Sequence, residues 1–257
     1  MDFTLNKYRQ LCTCALENGY QIQTVASYLR LNDNNHKMLI MRHDVDRIPK
    51  RALEMAILEH SLGIQSTYYF RKANFGEQSL IKAVSSGGHE VGYHYETLDE
   101  AKGDDDTALA LFAKHLSDLR TIVPVTTICM HGAPFTRWLN SDLWKQHDFR
   151  QLDLNGEAFL SIRDVYYLSD TGRKWDMSRK IKDNLPGGLP LWAVDQGPVT
   201  KTDDLLRLVR EGVSPLYITI HPERWSSNFI DWLHDSIKDS LINFSKSAFR
   251  KLKSGSG

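Results

Sequence analysis

The chain has 257 residues, of which 41% are hydrophobic and 25% charged, with 32 basic and 32 acidic side chains and a formal net charge of zero. That length suits one large α/β domain or two small ones, and that mix can bury a sizeable core. It lacks the basic excess or basic stripe of a nucleic-acid binder, and the tail Arg250-Lys251-Leu252-Lys253 is a short solvated end.

In chain order, residues Met1 to Lys7 show no positive segment followed by an apolar run, so no secretory signal is expected. No stretch approaches the roughly 18 apolar residues of a membrane-spanning helix. A helix is predicted from Leu5 to Glu17, stopped by Asn18-Gly19. It carries Cys12 and Cys14, which with Cys129 make an odd count without paired C-x-x-C motifs, the pattern of reduced structural thiols. The expected location is the cytoplasm.

Lys37 to Arg42 is a short apolar run suited to a buried parallel strand, and the helix after it starts at Pro49 and ends at Gly63. A strand at Ile64 to Phe70, a helix at Ser79 to Val84 and a strand at His89 to His94 follow. An amphipathic helix at Asp105 to Leu119 leads to a strand at Thr126 to Met130. The pattern then loosens, with a helix near Asn140 to Gln146 and short strands near Phe159 and Tyr166. A helix at Thr202 to Arg210 stops at Gly212, Pro215 to His221 forms the last strand, and Phe229 to Leu252 is predicted helical. Strand–helix alternation without a break in composition predicts one α/β domain, residues 1–257, on a parallel sheet that is open or closed into a barrel.

In such sheets reactive groups gather at the C-terminal ends of the strands. Four predicted strands end in His43-Asp44-Val45-Asp46, His94-Tyr95-Glu96, His131-Gly132 and His221-Pro222-Glu223-Arg224. Asp44 and Asp46, two apart, project from one face of an extended chain. Two carboxylates held close need a cation or a shared proton. A divalent metal with His94 as an imidazole ligand satisfies them, leaving one Asp free as a general base. His221 is placed to protonate a leaving amine. His131 is a ligand, a substrate contact or a packed histidine, and His43 and His89 are structural. Rings mixed with hydrogen-bonding groups at Asp164 to Trp175, Trp192 to Gln196 and Trp225 suggest a sugar site.

At this point the sequence resembles the polysaccharide deacetylases of carbohydrate esterase family 4 (CE4), in order over roughly Met38 to Trp225. Arg42-His43-Asp44-Val45-Asp46 is similar to the family's T-F-D-D-G motif with one residue between the acids, Gly88 to His94 to its G-H-E-I-G-x-H lead, and Tyr217 to His221 to its last motif. The resemblance implies a distorted (β/α) barrel of about seven parallel strands with N- and C-terminal helices. It implies a divalent metal, zinc with cobalt or manganese as alternatives, and an N-acetylated sugar, glycan or nucleotide-sugar as substrate. Asp44 maps to the base, Asp46 and His94 to metal ligands, and His221 to the acid. The family's second metal histidine falls on Leu98, and its R-x-P-x-G motif is echoed by His131-Gly132-Ala133-Pro134-Phe135 with histidine in place of arginine. His131 is taken as the replacement ligand, with Glu96 as competitor; a weakly held metal or lost catalysis are the other ways to read the gap. Arg42, Glu96, Asp170, Arg173, Trp175, Asp195 and Trp225 are assigned to substrate. Combinations such as R-H-D-V-D and I-T-I-H-P-E-R-W resemble a divergent branch associated with surface-polysaccharide biosynthesis. Cleavage of a different C–N amide and a non-catalytic carbohydrate-binding relic remain as alternatives.

Overall fold

A computed structural model describes residues 1–31, 36–132, 136–175, 190 and 196–237. Eight strands form one all-parallel sheet: β1 (Gln21–Gln23), β2 (Met38–Val45), β3 (Thr67–Arg71), β4 (Glu90–Tyr95), β5 (Thr127–Met130), β6 (Gly156–Glu157), β7 (Tyr166–Ser169) and β8 (Leu216–Ile220). Seven of them run in the order β6-β5-β4-β3-β2-β8-β7, and β1 extends the β2 edge ahead of β3. The sheet curls into a half-barrel flanked by helices, consistent with a distorted (β/α) barrel. The chain just beyond β6 is tied to β8, where the Tyr217 hydroxyl donates to the Ala158 carbonyl at 3.2 Å.

The helices are α1 (Leu5–Glu17), α2 (Val25–Arg30), α3 (Pro49–Ser61), α4 (Gln78–Ser86), α5 (Thr97–Glu100), α6 (Asp105–Arg120) and α7 (Thr202–Glu211). Their starts follow from capping chemistry. Thr4 and Asp104 accept the Lys7 and Thr107 backbone N–H groups, and Pro49 opens α3 where its missing N–H costs nothing. No helix among the described residues is long and apolar enough to cross a membrane. Cys12, Cys14 and Cys129 are buried.

Two differences from the sequence reading have local causes. The strand expected near Phe159 is only Gly156–Glu157, because the Glu157 carboxylate accepts the N–H groups of Phe159 and Leu160 and turns the chain. The helix expected near Asn140 to Gln146 is the 3-10 helix Asn140–Lys145. Segments β1, α2 and α5 are too short to show a periodicity. The C-terminal helix is described over residues 229–237, and the remainder of that prediction lies outside the described residues.

β2 is buried along its whole length, yet carries Arg42, His43 and Asp44. Its pleat separates them. Ile40 joins the core that includes Tyr69 and Tyr217, while Leu39 and Met41 join the core under α1, α3 and α7. Gly92 on β4 leaves room for the Tyr69 ring, since a Cβ there would lie 2.2 Å from it.

On the outer face His43 Nε2 meets Glu59 Oε1 at 2.7 Å, and Glu59 also accepts from Tyr8, Ser66 and Tyr68. This cluster ties α1, α3, β2 and β3 together, and its burial makes His43 structural. Burial acts to raise the Glu59 pKa, but His43, the His89 charge and the Ser66 hydroxyl outweigh it and bring it from 4.5 to about 2. A depressed folded-state carboxyl pKa contributes stability that is present above pH 4.5 and lost as pH falls toward 2. A drop of this size corresponds to about 3 kcal/mol. Glu59→Gln is therefore expected to lower stability at pH 7 by about that much and to flatten the acid limb. Urea unfolding across pH checks it; an unchanged acid limb would mean that Glu59 does not couple folding to protons.

Candidate metal centre and catalytic groups

The strand ends converge as the parallel register dictates. Val45 pairs with Phe70, Arg71 with His94, Tyr95 with Met130 and Ser169 with Thr219, so residues 44–46, 71, 94–96, 131, 170 and 221 share one rim.

Asp46 Oδ1 lies 3.5 Å from His94 Nε2 and 3.7 Å from His131 Nε2. Each imidazole is oriented from behind. His94 Nδ1 donates to the Cys129 carbonyl at 3.0 Å, and His131 Nδ1 donates to Glu96 Oε2 at 3.0 Å. With Nδ1 engaged behind it, each ring turns its Nε2 toward Asp46. Glu96 is itself clamped by Arg71, whose Nη2 contacts both carboxylate oxygens at 2.7 and 2.6 Å. Burial works against ionised Glu96, but His131 and Arg71 pull its pKa down to about 2, so it stands as an anion behind His131.

This set fits a divalent ion. Among the described residues, Asp46 Oδ1 is buried with no hydrogen-bond partner. Its spacing from the two nitrogens is close to the ~3.4 Å between neighbouring ligands of a tetrahedral ion with ~2.1 Å bonds. The backing of each histidine by a carbonyl or carboxylate is the usual outer layer of a metal site. A second group, Asp44, His94 and Cys129, is also close enough to hold an ion. We favour the first, because Asp44 is already engaged.

That engagement comes from Arg42, whose Nη2 donates to Asp44 Oδ2 at 2.9 Å and whose Nη1 donates to the Tyr217 hydroxyl at 2.8 Å. The guanidinium lies over the Phe159 ring at 4.4 Å and is fully buried. Burial opposes the charge on Asp44, but Arg42, His94 and His221 together hold its pKa below the usual 3.8. Asp44 is thus a fixed, ionised carboxylate beside the Asp46 set.

His221 follows β8, which pairs with β2, so it lies on the same rim as Asp44 and Asp46. Its Nδ1 donates to Asp170 Oδ1 at 2.6 Å. Asp170 is fully buried and also accepts from Arg224 Nη1 at 2.9 Å, Trp225 Nε1 at 2.8 Å and the His221 backbone N–H at 3.0 Å. Arg224 Nη1 approaches His221 Nδ1 to 2.8 Å because both donors aim at one oxygen. Burial and the Arg224 charge act to lower the His221 pKa, but Asp170 more than reverses them, and it lies above the usual 6.5.

Six of the residues assigned to substrate from sequence take other places. Arg42 is buried beneath Asp44. Glu96 backs His131, and Asp170 backs His221. Trp225 and Trp175 are buried at 1% and 0% exposure, with their indole N–H groups on Asp170 and Thr202 and Phe3 packed against both. Their apolar area serves the core instead of a sugar face. Arg173 reaches the Trp232 and Arg224 carbonyls and the Ser236 hydroxyl, anchoring the C-terminal helix. Asp195 and Trp192 lie outside the described residues. Leu98 is buried in the core, its N–H on Asn140 Oδ1. The sequence reading missed Arg71, although it too ends a strand, and it missed Arg224 as a partner of Asp170.

No protein-family model and no curated protein matches the chain. Solved structures do. A Streptococcus mutans CE4 esterase is 11% identical, covering 90% of each chain with a TM-score of 0.48. The catalytic domain of a Eubacterium rectale peptidoglycan N-acetylglucosamine deacetylase is 13% identical, covering 82% of this chain and 87% of that one with a TM-score of 0.44. A CE4 family pseudoenzyme from Bacillus anthracis is 13% identical with a TM-score of 0.46, and the match spans 84% of this chain but only 63% of the pseudoenzyme. Likeness at this level carries no weight for function.

Proposed function

We propose that the chain is a metal-dependent hydrolase that removes the acetyl group from an N-acetylated sugar or glycan intermediate. The observation that carries this reading is the unpartnered Asp46 oxygen between two back-bonded imidazoles, with an arginine-held carboxylate and a carboxylate-held imidazole on the same rim. The acetylated sugar as substrate rests on the sequence resemblance.

Asp46, His94 and His131 would hold the ion, which when bound supplies Lewis-acid activation of water and of the acetyl carbonyl. Asp44 accepts the proton of the attacking water, and Arg42 keeps it ionised and aimed. His221, with Nδ1 fixed on Asp170, offers a proton from Nε2 to the departing nitrogen. Asp170 stabilises the imidazolium without taking its proton.

The test is acetate release from a β-1,4-linked N-acetylglucosamine tetramer by zinc- or cobalt-loaded protein. Matched production of acetate and free amine is expected. Ammonia or a ring-opened product from a cyclic amide, with no acetate, would favour the other C–N hydrolase.

A further inference from the structure

Glu223 is a buried carboxyl beside this rim that neither the metal set nor the two proton-handling pairs uses. It follows His221 by two on the 3-10 turn Pro222–Arg224, and its side chain is 3% exposed. Its Oε1 meets Arg47 Nη2 at 3.5 Å, a long contact to a guanidinium that is 47% exposed. Its Oε2 is buried and has no hydrogen-bond partner among the described residues. The turn is pinned, since Arg51 Nη1 donates to the Glu223 carbonyl at 2.5 Å and the Arg224 N–H to the His221 carbonyl at 2.9 Å. Its partner Arg47 directly follows Asp46 in the chain, and His221 opens the same turn, so the carboxyl sits beside that rim.

An unmatched buried carboxyl oxygen destabilises a fold, and such groups persist where a ligand supplies the missing half of the hydrogen bond. Position says which half. His221 delivers its proton to the departing nitrogen, so a group two residues beyond it on one short turn lies beside the carbon skeleton bearing that nitrogen. In an amino sugar that skeleton carries hydroxyl groups, which can donate to a carboxylate or accept from a carboxylic acid.

We propose that Glu223 is a substrate-binding residue whose Oε2 pairs with a hydroxyl group of the sugar on the leaving-group side of the scissile amide. The proposal rests on the deacetylase reading and deepens it. Glu223 selects a polyhydroxylated amine over a leaving group without hydroxyls.

The experiment compares metal-loaded wild type, Glu223→Ala and Glu223→Gln on the N-acetylglucosamine tetramer and on p-nitrophenyl acetate. Glu223→Ala is expected to raise KM for the tetramer about tenfold, the size of one lost hydrogen bond to a charged group, with kcat changed much less. The loss in kcat/KM should be larger on the tetramer than on the ester. Glu223→Gln keeps an oxygen for the hydroxyl and should recover most of the KM. Both variants should melt at or above the wild-type Tm, because the unmatched oxygen is gone or neutral. Equal losses on the two probes, an unchanged KM in Glu223→Ala, or a lower Tm in both variants would overturn the assignment and leave the deacetylase reading standing. A wild type that releases acetate from neither probe would overturn that reading and this assignment together.

Discussion

Replacing His131 with alanine is expected to lower the affinity for zinc, cobalt or manganese by at least about tenfold, and Asp46→Ala and His94→Ala should do the same. His131 is the informative member. Its Nε2 lies 3.7 Å from Asp46 Oδ1, and its Nδ1 is turned away onto a carboxylate held by Arg71. Glu96→Gln should therefore weaken metal binding through His131, by less than loss of the ring itself, because the amide can present its NH₂ to Nδ1 and favour the wrong tautomer. Asp44→Asn should keep the metal. Metal content after dialysis, with competition by a chelator, measures all five proteins. Full retention by His131→Ala together with loss in Asp44→Asn would move the ion to the group of Asp44, His94 and Cys129.

The origin of that site explains how much of it could be read from sequence. Asp44, Asp46, His94, His131 and His221 each sit at or just past the end of a strand, and parallel strands in register must bring such positions to one rim. Strand periodicity therefore carried the site. The same argument extended to Arg71 and Asp170, which end β3 and follow β7, but neither was placed in its role, because a hydrogen bond between side chains on different strands leaves no trace in spacing.

The misplaced residues have a common cause. Arg42, Trp175 and Trp225 combine polar atoms with large apolar area, and sequence alone does not say which of the two properties the fold uses. Here the fold uses both inside. The Trp225 indole N–H ends on Asp170 and the Arg42 guanidinium on Asp44, so their rings and stems fill the core while their polar atoms hold catalytic groups in place. Among the elements, α1, α3 and α6 were legible through caps and 3.6-residue spacing. In contrast β6 ends after two residues because one buried carboxylate, Glu157, captures the following N–H groups, an event decided by tertiary burial.

Removing the His221 ring is expected to separate amide from ester hydrolysis. If Nε2 donates the proton that the departing nitrogen requires, His221→Ala should keep the metal and lose about 10²- to 10⁴-fold in turnover of the acetylated tetramer. On p-nitrophenyl acetate, whose leaving group departs without a proton, the loss should be far smaller. The pH dependence follows from the shifts. The reaction requires ionised Asp44 and protonated His221. Asp44 titrates below 3.8, so activity rises through a limb on the acid side; His221 titrates above 6.5, so activity falls through a limb on the alkaline side of that value. The alkaline limb is held up by Asp170 against burial and the Arg224 charge. Asp170→Asn removes the carboxylate and leaves both opposing effects, so the limb should move to lower pH, with a rate loss even at its new optimum because the amide no longer fixes Nδ1–H. An alkaline limb unmoved in Asp170→Asn, together with equal losses on amide and ester in His221→Ala, would make His221 a group that positions substrate and would place the acid elsewhere on the rim.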